Sequence, residues 1–167
     1  MELLRDTTVC FTGHRYIAPA QVSSIRDRTA DAARMLILHG YDTFIVGGAL
    51  GYDTLAQLTV LQLRRELPYL RIVMTIPCEG QDARWREEDR RIYAALRRQA
   101  DSEIVLSPAY TDGCMLARNR FMVDHSSVCI ACYRGGNQGG TAYTVRYAIK
   151  QGVGVYNVLS DIWRRSQ

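Results

Sequence analysis

The fold of this chain is decided by a stretch near its N-terminus, TTVCFTGHR (residues 7–15). The first five residues form a short run rich in β-branched and apolar side chains, which predicts a strand over residues 7–11. The polar sequence TGHR ends that run. Similar apolar runs recur along the chain and alternate with segments of helical periodicity, so this stretch begins a repeating strand–helix pattern.

The later predicted strands cover residues 42–46, 71–76, 103–106, 127–131 and 153–159. The predicted helices cover residues 20–39, 54–66, 85–99, 115–125 and 141–151. Strands that are nearly continuous apolar runs are typical of a parallel sheet covered on both faces. We therefore predict one Rossmann-like three-layer α/β domain over residues 1–167, with a mostly parallel sheet and the first strand at its centre.

Composition and charge narrow the class of protein. The apolar fraction of 47% and the charged fraction of 23% are those of an ordinary soluble globular protein. The net charge of +4 permits a phosphate-bearing partner without requiring one. The first residues, MELLRDTTVCFTG, show no signal-peptide pattern and no apolar stretch is long enough for a membrane span, so we expect a cytoplasmic protein with no membrane partner.

Three polar or glycine-rich loops follow predicted strands. They are TGHR (residues 12–15), GGALGYD (residues 47–53) and GGNQGGT (residues 135–141). In open α/β sheets ligands bind beyond the carboxyl ends of the strands, near a change in strand order. The three loops are therefore the expected walls of a binding crevice.

The loop GGNQGGT partly resembles a Walker A motif. Gly135 and Gly140 have the right separation, but Thr141 follows directly and the motif's lysine is missing. The loop therefore lacks the cation that neutralises β- and γ-phosphates. It keeps the backbone N–H groups of Gly139, Gly140 and Thr141 at a helix N-terminus, which suits an anion. A purely structural strand-to-helix turn is the alternative.

The loop GGALGYD partly matches the dinucleotide-binding fingerprint. Gly48 and Gly51 fit, but Val46 stands where the first glycine belongs, so we do not expect a conventional NAD site. Close approach of the loop backbone to some other ligand stays open. Asp53 is predicted either to cap the following helix or to accept a hydrogen bond from a sugar hydroxyl.

Charged side chains near these loops are candidates for binding. TGHR places Thr12, His14 and Arg15 at the end of the first strand, where Arg15 suits bidentate phosphate binding and His14 is either structural or catalytic. Arg118 falls near a helix start, where the macrodipole disfavours a cation unless an anionic ligand or a carboxylate lies beside it. Asn119 follows Arg118 on the same predicted helix.

Two other patterns are interpreted as structural. Cys129 and Cys132 lie three residues apart in a predicted strand, which sends their side chains to opposite faces, so we predict buried thiols and no metal site. The run RWREEDRRIYAALRRQ (residues 84–99) mixes both charge signs, which indicates a solvated helix face more than a nucleic-acid surface. Trp85 either packs in the core or stacks on a base.

The motifs FTGHR, GGALGYD, RNRFMVD and GGTAYTVRYA together resemble the YpsA-like branch of the SLOG superfamily, which is related to DprA and to the LOG, or lysine-decarboxylase-like, proteins. The resemblance covers residues 8–156 and implies a Rossmann-like fold that binds nucleotides or nucleotide-derived ligands. The family's functional residues carry over to Gly13, His14, Arg15, Gly47, Gly48, Gly51, Asp53, Arg118, Asn119, Asp124, Gly139, Gly140 and Thr141.

The chain departs from two relatives within that superfamily. LOG enzymes cleave nucleoside monophosphates and follow their glycine-rich turn with glutamates, whereas Tyr143 and Thr144 stand here. Hydrolysis of an N-glycosidic bond would then need Asp53, Asp124 or Glu79 as the carboxylate. The loop GGALGYD is similar to one in DprA, which acts on single-stranded DNA, but the sequence shows no clear basic groove.

These observations leave three hypotheses for function. The first is a binding protein or sensor for a small nucleotide or an ADP-ribose-like ligand, without a cofactor or metal. The second is a nucleotide N-glycosidase or phosphoribohydrolase, with Asp53 or Asp124 as its catalytic residue. The third and weakest is a single-stranded nucleic-acid binder. Broad apolar helix faces are also compatible with a homo-oligomer.

Overall fold

The computed structural model describes residues 2–160 and 162–164. A short 3-10 helix, Arg5–Thr7, precedes the first strand. The strands are β1 (Thr8–Gly13), β2 (Thr43–Val46), β3 (Arg71–Ile76), β4 (Ser102–Val105), β5 (Val128–Cys132), β6 (Gly154–Asn157) and β7 (Ile162–Arg164). The helices are α1 (Pro19–Leu38), α2 (Tyr52–Glu66), α3 (Glu87–Gln99), α4 (Cys114–Asp124) and α5 (Gly139–Lys150).

The seven strands form one sheet in the order β4-β3-β2-β1-β5-β6-β7. The first six strands are parallel, and β7 pairs antiparallel with β6. The prediction of a mostly parallel sheet with the first strand near its centre is confirmed. Strand order reverses at β1, because the chain runs outward through β2, β3 and β4 and returns to β5 on the other side of β1.

Helices cover both faces of the sheet, as the apolar strands predict. Alternate side chains of β1 enter different cores: Val9 and Phe11 lie with the apolar residues of α1 and α2, whereas Cys10 lies with those of α4 and α5. Cys129 and Cys132 also belong to opposite cores, and both are buried free thiols. The three-layer architecture and the buried-thiol interpretation are therefore confirmed.

The structure corrects some predicted boundaries at helix starts and adds one strand. Helix α2 begins at Tyr52 and α3 at Glu87, each two residues from the predicted start. Strand β7 has three exposed residues, and its pairing with β6 is a tertiary contact that periodicity does not reveal. None of the described helices is long and apolar enough to cross a bilayer.

The loops after β1 and β2 are packed backbone against backbone. Gly51 has a φ of +78°, and a Cβ atom there would lie 2.3 Å from the carbonyl carbon and oxygen of Arg15. The next residue, Tyr52, donates its N–H to the His14 carbonyl at 3.0 Å. Its ring is fully buried, and a Cβ atom on Gly13 would lie 2.4 Å from it. The two glycines therefore permit the loops to meet.

The substitution Gly51→Ala tests this contact. We expect it to lower the free energy of unfolding by about 3 kcal/mol or more, because a strained backbone and a steric clash act together. Gly40→Ala is the matched control. Gly40 also has a positive φ, of +92°, but a Cβ atom added there would meet no atom within 4 Å. The control should cost only about 1–2 kcal/mol in chemical denaturation. Equal losses of unfolding free energy in the two variants would show that the contact between the loops contributes nothing to stability.

Candidate functional site

A cavity of about 270 Å³ opens at the carboxyl ends of β1 and β5, where strand order reverses. We call it the inner cavity. Gly13 and Cys132, the last residues of these strands, are register partners, so the loops that follow them start side by side. The inner cavity is lined by Phe11, Thr12, Gly13, His14, Arg15, Ala49, Asp53, Met115, Leu116, Arg118, Asn119, Gly140 and Thr141.

Arg118 is a buried cation in the wall of the inner cavity, with 4% of its surface exposed. Its Nε atom donates to the Asn119 side-chain oxygen at 2.8 Å, and another nitrogen donates to the Gly47 carbonyl. It forms no salt bridge with any carboxylate among the described residues. Burial lowers the pKa of its guanidinium, and the nearby Asp53 carboxylate opposes that shift. The free-energy cost of burying this charge is therefore offset only in part by its neighbours.

Asp53 lies in the first turn of α2 and is nearly as buried as Arg118. Its side chain accepts the Ala49 N–H at 3.2 Å, so it closes the loop that precedes the helix. Burial raises the pKa of this carboxyl, while Arg118, the backbone N–H groups and Arg15 oppose the shift. The predicted capping role is not seen: the N-cap residue of α2 is Gly51, and no side-chain hydrogen bond caps the helix. The Asp53 carboxylate faces the cavity instead.

The first turn of α5 forms the opposite wall. Gly140 and Thr141 line the cavity, and a Cβ atom on Gly140 would approach only Asn119, at 3.8 Å. The free N–H groups of a helix N-terminus carry partial positive charge, which favours an anion here. The hydroxyls of Thr12 and Thr141 form no hydrogen bond within the described part of the chain, so both are available to a ligand.

The loop after β5 is tied to the loop after β1. The Arg134 N–H donates to Nε2 of His14 at 3.1 Å, and the Arg134 side chain donates to the Tyr16 carbonyl at 3.1 Å. The Tyr133 hydroxyl donates to the Gly136 carbonyl within the glycine-rich loop. His14 therefore accepts a hydrogen bond at the cavity edge that links the two loops.

The structure brings nine of the predicted site residues together around the inner cavity and leaves others outside it. Gly47, Gly48 and Gly51 do not line the cavity, and a Cβ atom added to them would meet Arg118, Met74 and the Arg15 backbone respectively. Gly139 begins α5 without lining the cavity. The nine lining residues are Thr12, Gly13, His14, Arg15, Asp53, Arg118, Asn119, Gly140 and Thr141.

Two of the three candidate carboxylates lie away from the inner cavity. Asp124 is the exposed last residue of α4 and accepts a hydrogen bond from the Tyr147 hydroxyl at 2.8 Å. Glu79 is exposed in the loop after β3. Asp53 is the carboxylate of the three that lines the cavity. Asp124 lies at the C-terminal end of α4, whereas Arg118 and Asn119 lie nearer the end that faces the cavity.

Sequence reasoning missed the apolar lining. Phe11, Ala49, Met115 and Leu116 also contact the inner cavity, but apolar residues in a strand or helix give no signal that separates cavity walls from core. A second space of about 490 Å³ adjoins the first and shares Arg15, Ala49 and Met115 with it. We call it the outer cavity; its other lining residues are Leu50, Cys78, Gly80, Gln81, Ala83, Arg84, Trp85 and Tyr110.

The charged helix α3 is largely self-neutralised. Its arginines and their neighbours form ion pairs with acidic residues of the same helix and adjacent segments. These pairs are Arg86–Asp89, Arg90–Asp82, Arg91–Glu87 and Arg97–Glu103. The pairing agrees with a solvated helix face. Trp85 packs edge-on against Tyr93, with ring centroids 5.2 Å apart, and also lines the outer cavity.

The stability of the fold should depend on the protonation of His14. Burial, and secondarily Arg134, lowers the pKa of this ring, so the folded state favours neutral imidazole. As pH falls from about 7 to about 5, the unfolded chain binds the proton first and stability is lost. We expect His14→Gln to show a smaller fall in melting temperature over this range. Equal pH profiles for the two proteins would contradict the assignment.

Comparisons with known proteins place the chain in a family. A solved structure of DNA processing protein A from Helicobacter pylori superposes with a TM-score of 0.59 and 22% identity, over 89% of this chain and 63% of that one. At this identity the likeness shows the shared fold. The UPF0398 protein of Bacillus velezensis is 28% identical over 77% of this chain and 74% of its own length.

A further relative is the SPbeta prophage-derived protein YoqJ of Bacillus subtilis, which is 29% identical over 72% of this chain and 74% of its own length. The family model for YpsA, described as the YspA SLOG family, matches residues 18–157. This span includes α1 through β6 and most of the residues that build the inner cavity. The chain belongs to the YspA SLOG family.

Proposed function

We propose that the protein is a cytoplasmic binding protein or sensor for a small nucleotide or nucleotide-derived ligand, whose phosphate occupies the inner cavity. The observation that carries the proposal is the buried positive charge of Arg118, which its neighbours compensate only in part. This guanidinium is buried, and it shares a cavity with the N-terminus of α5. An anion would supply the countercharge that one buried carboxylate, Asp53, provides only in part.

Arg15 supports the same proposal from the cavity mouth. Its side chain is exposed and forms no ion pair or hydrogen bond within residues 2–160 and 162–164, so it is free to contact a ligand. A guanidinium binds two phosphate oxygens at once, and a helix N-terminus contributes backbone N–H groups. The hydroxyls of Thr12 and Thr141 add donors at the same place. A phosphate here would meet donors from β1, α4 and α5, namely Thr12, Arg118 and Thr141.

The proposal is tested by thermal shift with ribose 5-phosphate, AMP, ADP and ADP-ribose, using ribose and adenosine as unphosphorylated controls. A phosphorylated ligand at about 100 times its Kd should add about 2.7 kcal/mol to stability, whereas the controls should add nothing. Arg15→Ala should raise the Kd of the phosphorylated ligand about tenfold or more. Arg98→Ala is the matched control, since Arg98 is exposed and lines neither cavity.

Two outcomes would overturn the proposal. One is the absence of any shift across the phosphorylated panel. The other is an equal affinity of wild type and Arg15→Ala. Mass spectrometry of the bound mixture separates sensing from turnover: release of free base would instead establish a nucleotide N-glycosidase, with Asp53 as its carboxylate.

A second candidate function is binding of single-stranded DNA. The Helicobacter pylori relative is described as having a single-stranded DNA binding mode. In this chain Tyr110, which lines the outer cavity, is 67% exposed, and Tyr16, which follows Arg15 in the chain, is 68% exposed. Arg15 and Arg84 are exposed nearby and form no ion pairs among the described residues. Aromatic rings and free arginines are the elements that hold single strands.

This candidate predicts a steep dependence on salt. Affinity for an oligothymidylate should fall markedly from about 50 to about 200 mM salt, and Arg84→Ala should reduce the slope of log K against log salt by about 0.7. Arg98→Ala should leave the slope unchanged. Absent or salt-independent binding of the oligonucleotide would exclude this function and leave the small-ligand proposal in place.

A further inference from the structure

The inner cavity alone is small for a whole nucleotide. Its volume of about 270 Å³ falls below the roughly 300–1,000 Å³ of typical ligand pockets, whereas the adjoining outer cavity adds about 490 Å³. The two spaces meet at Arg15, Ala49 and Met115. A ligand whose phosphate lies in the inner cavity would therefore extend past Arg15 into the outer one.

The outer cavity contains one polar group whose orientation is fixed. The Gln81 side-chain nitrogen donates to the Gly48 carbonyl at 3.3 Å and to the Tyr93 hydroxyl at 2.9 Å. Because a backbone carbonyl only accepts, the amide cannot be turned around without losing a bond. The side-chain nitrogen therefore has two acceptors, and the side-chain oxygen accepts no hydrogen bond within the described residues. Gln81 thus offers the cavity an acceptor and no donor.

The remaining walls suit a flat aromatic group. Trp85 is held by its edge-on contact with Tyr93, and Tyr110 contributes an exposed ring. Leu50 and Met115 add apolar surface. No aspartate or glutamate lines this cavity, so nothing in its lining repels the negative charge of a nucleotide. A purine ring finds stacking surfaces here, and each stacked base contributes measurably to affinity.

We propose that the outer cavity holds the base of the ligand, and that Gln81 selects an amino group over a carbonyl at the ring position it contacts. This inference rests on the proposed function, because it requires the phosphate to lie in the inner cavity. An adenine-type base places an amino donor against the fixed Gln81 oxygen. A hypoxanthine-type base places a carbonyl there, which leaves two acceptors facing each other.

Calorimetric titration with AMP, IMP and ribose 5-phosphate tests the inference. AMP should bind roughly tenfold or more tightly than IMP, and also more tightly than ribose 5-phosphate. Gln81→Met should abolish the difference between AMP and IMP while leaving the affinity for ribose 5-phosphate unchanged. Gln99→Met is the matched control, since Gln99 is exposed at the end of α3 and lines neither cavity.

Tyr110→Ala gives a second, independent measurement. Its ring is exposed and its hydroxyl forms no hydrogen bond within the described chain, so the variant should fold as the wild type does. It should weaken AMP binding roughly tenfold without changing the affinity for ribose 5-phosphate. This variant keeps the inference testable if Gln81→Met fails to fold.

The outcomes separate the two proposals. If ribose 5-phosphate binds and Arg15→Ala weakens it, but AMP and IMP bind no differently from each other, the role of Gln81 is overturned and the proposed function stands. If AMP binds no more tightly than ribose 5-phosphate, the outer cavity is not a base site. If none of the three ligands binds, the inference about the outer cavity falls, and the proposed function then depends on ADP and ADP-ribose in the thermal-shift panel.

Discussion

The contact between the loops after β1 and β2 is the constraint on which the site depends. Gly51 lies against the Arg15 backbone, and Tyr52 donates its N–H to the His14 carbonyl while its ring fills the space beside Gly13. This arrangement fixes the start of α2 and thereby the position of Asp53. It also determines where the Arg15 side chain leaves the backbone. A side chain at Gly51 would separate the loops.

The buried charges of the inner cavity are held in place by backbone groups more than by each other. Arg118 donates to the Gly47 carbonyl, and Asp53 accepts the Ala49 N–H, so one loop satisfies both side chains. Burial lowers the pKa of Arg118 and raises that of Asp53, which is the sign expected when neither charge is fully compensated. Such a preorganised, positively charged cavity is suited to an anion, because its groups need little rearrangement on binding.

A shared fold does not by itself determine what a protein binds. The fold is shared with DNA processing protein A, but specificity depends on the side chains that line the site. In this chain those side chains include the fixed Gln81 amide, two arginines without ion pairs among the described residues, and the rings of Trp85 and Tyr110 around the outer cavity. The fold supplies the position of the two cavities, and the wall residues determine their charge and shape.

The sequence by itself determined the strand–helix alternation, the burial of the central strands and the three loops at the edge of the sheet. These features follow from local periodicity and from glycines in places where a backbone must turn. Only the tertiary structure decided which candidates meet. Asp53 and Asp124 are both candidate catalytic carboxylates in the sequence, yet Asp53 lines the cavity, whereas Asp124 is exposed and accepts a hydrogen bond from the Tyr147 hydroxyl. The outer cavity and β7 likewise depend on contacts between distant segments, which local patterns do not encode.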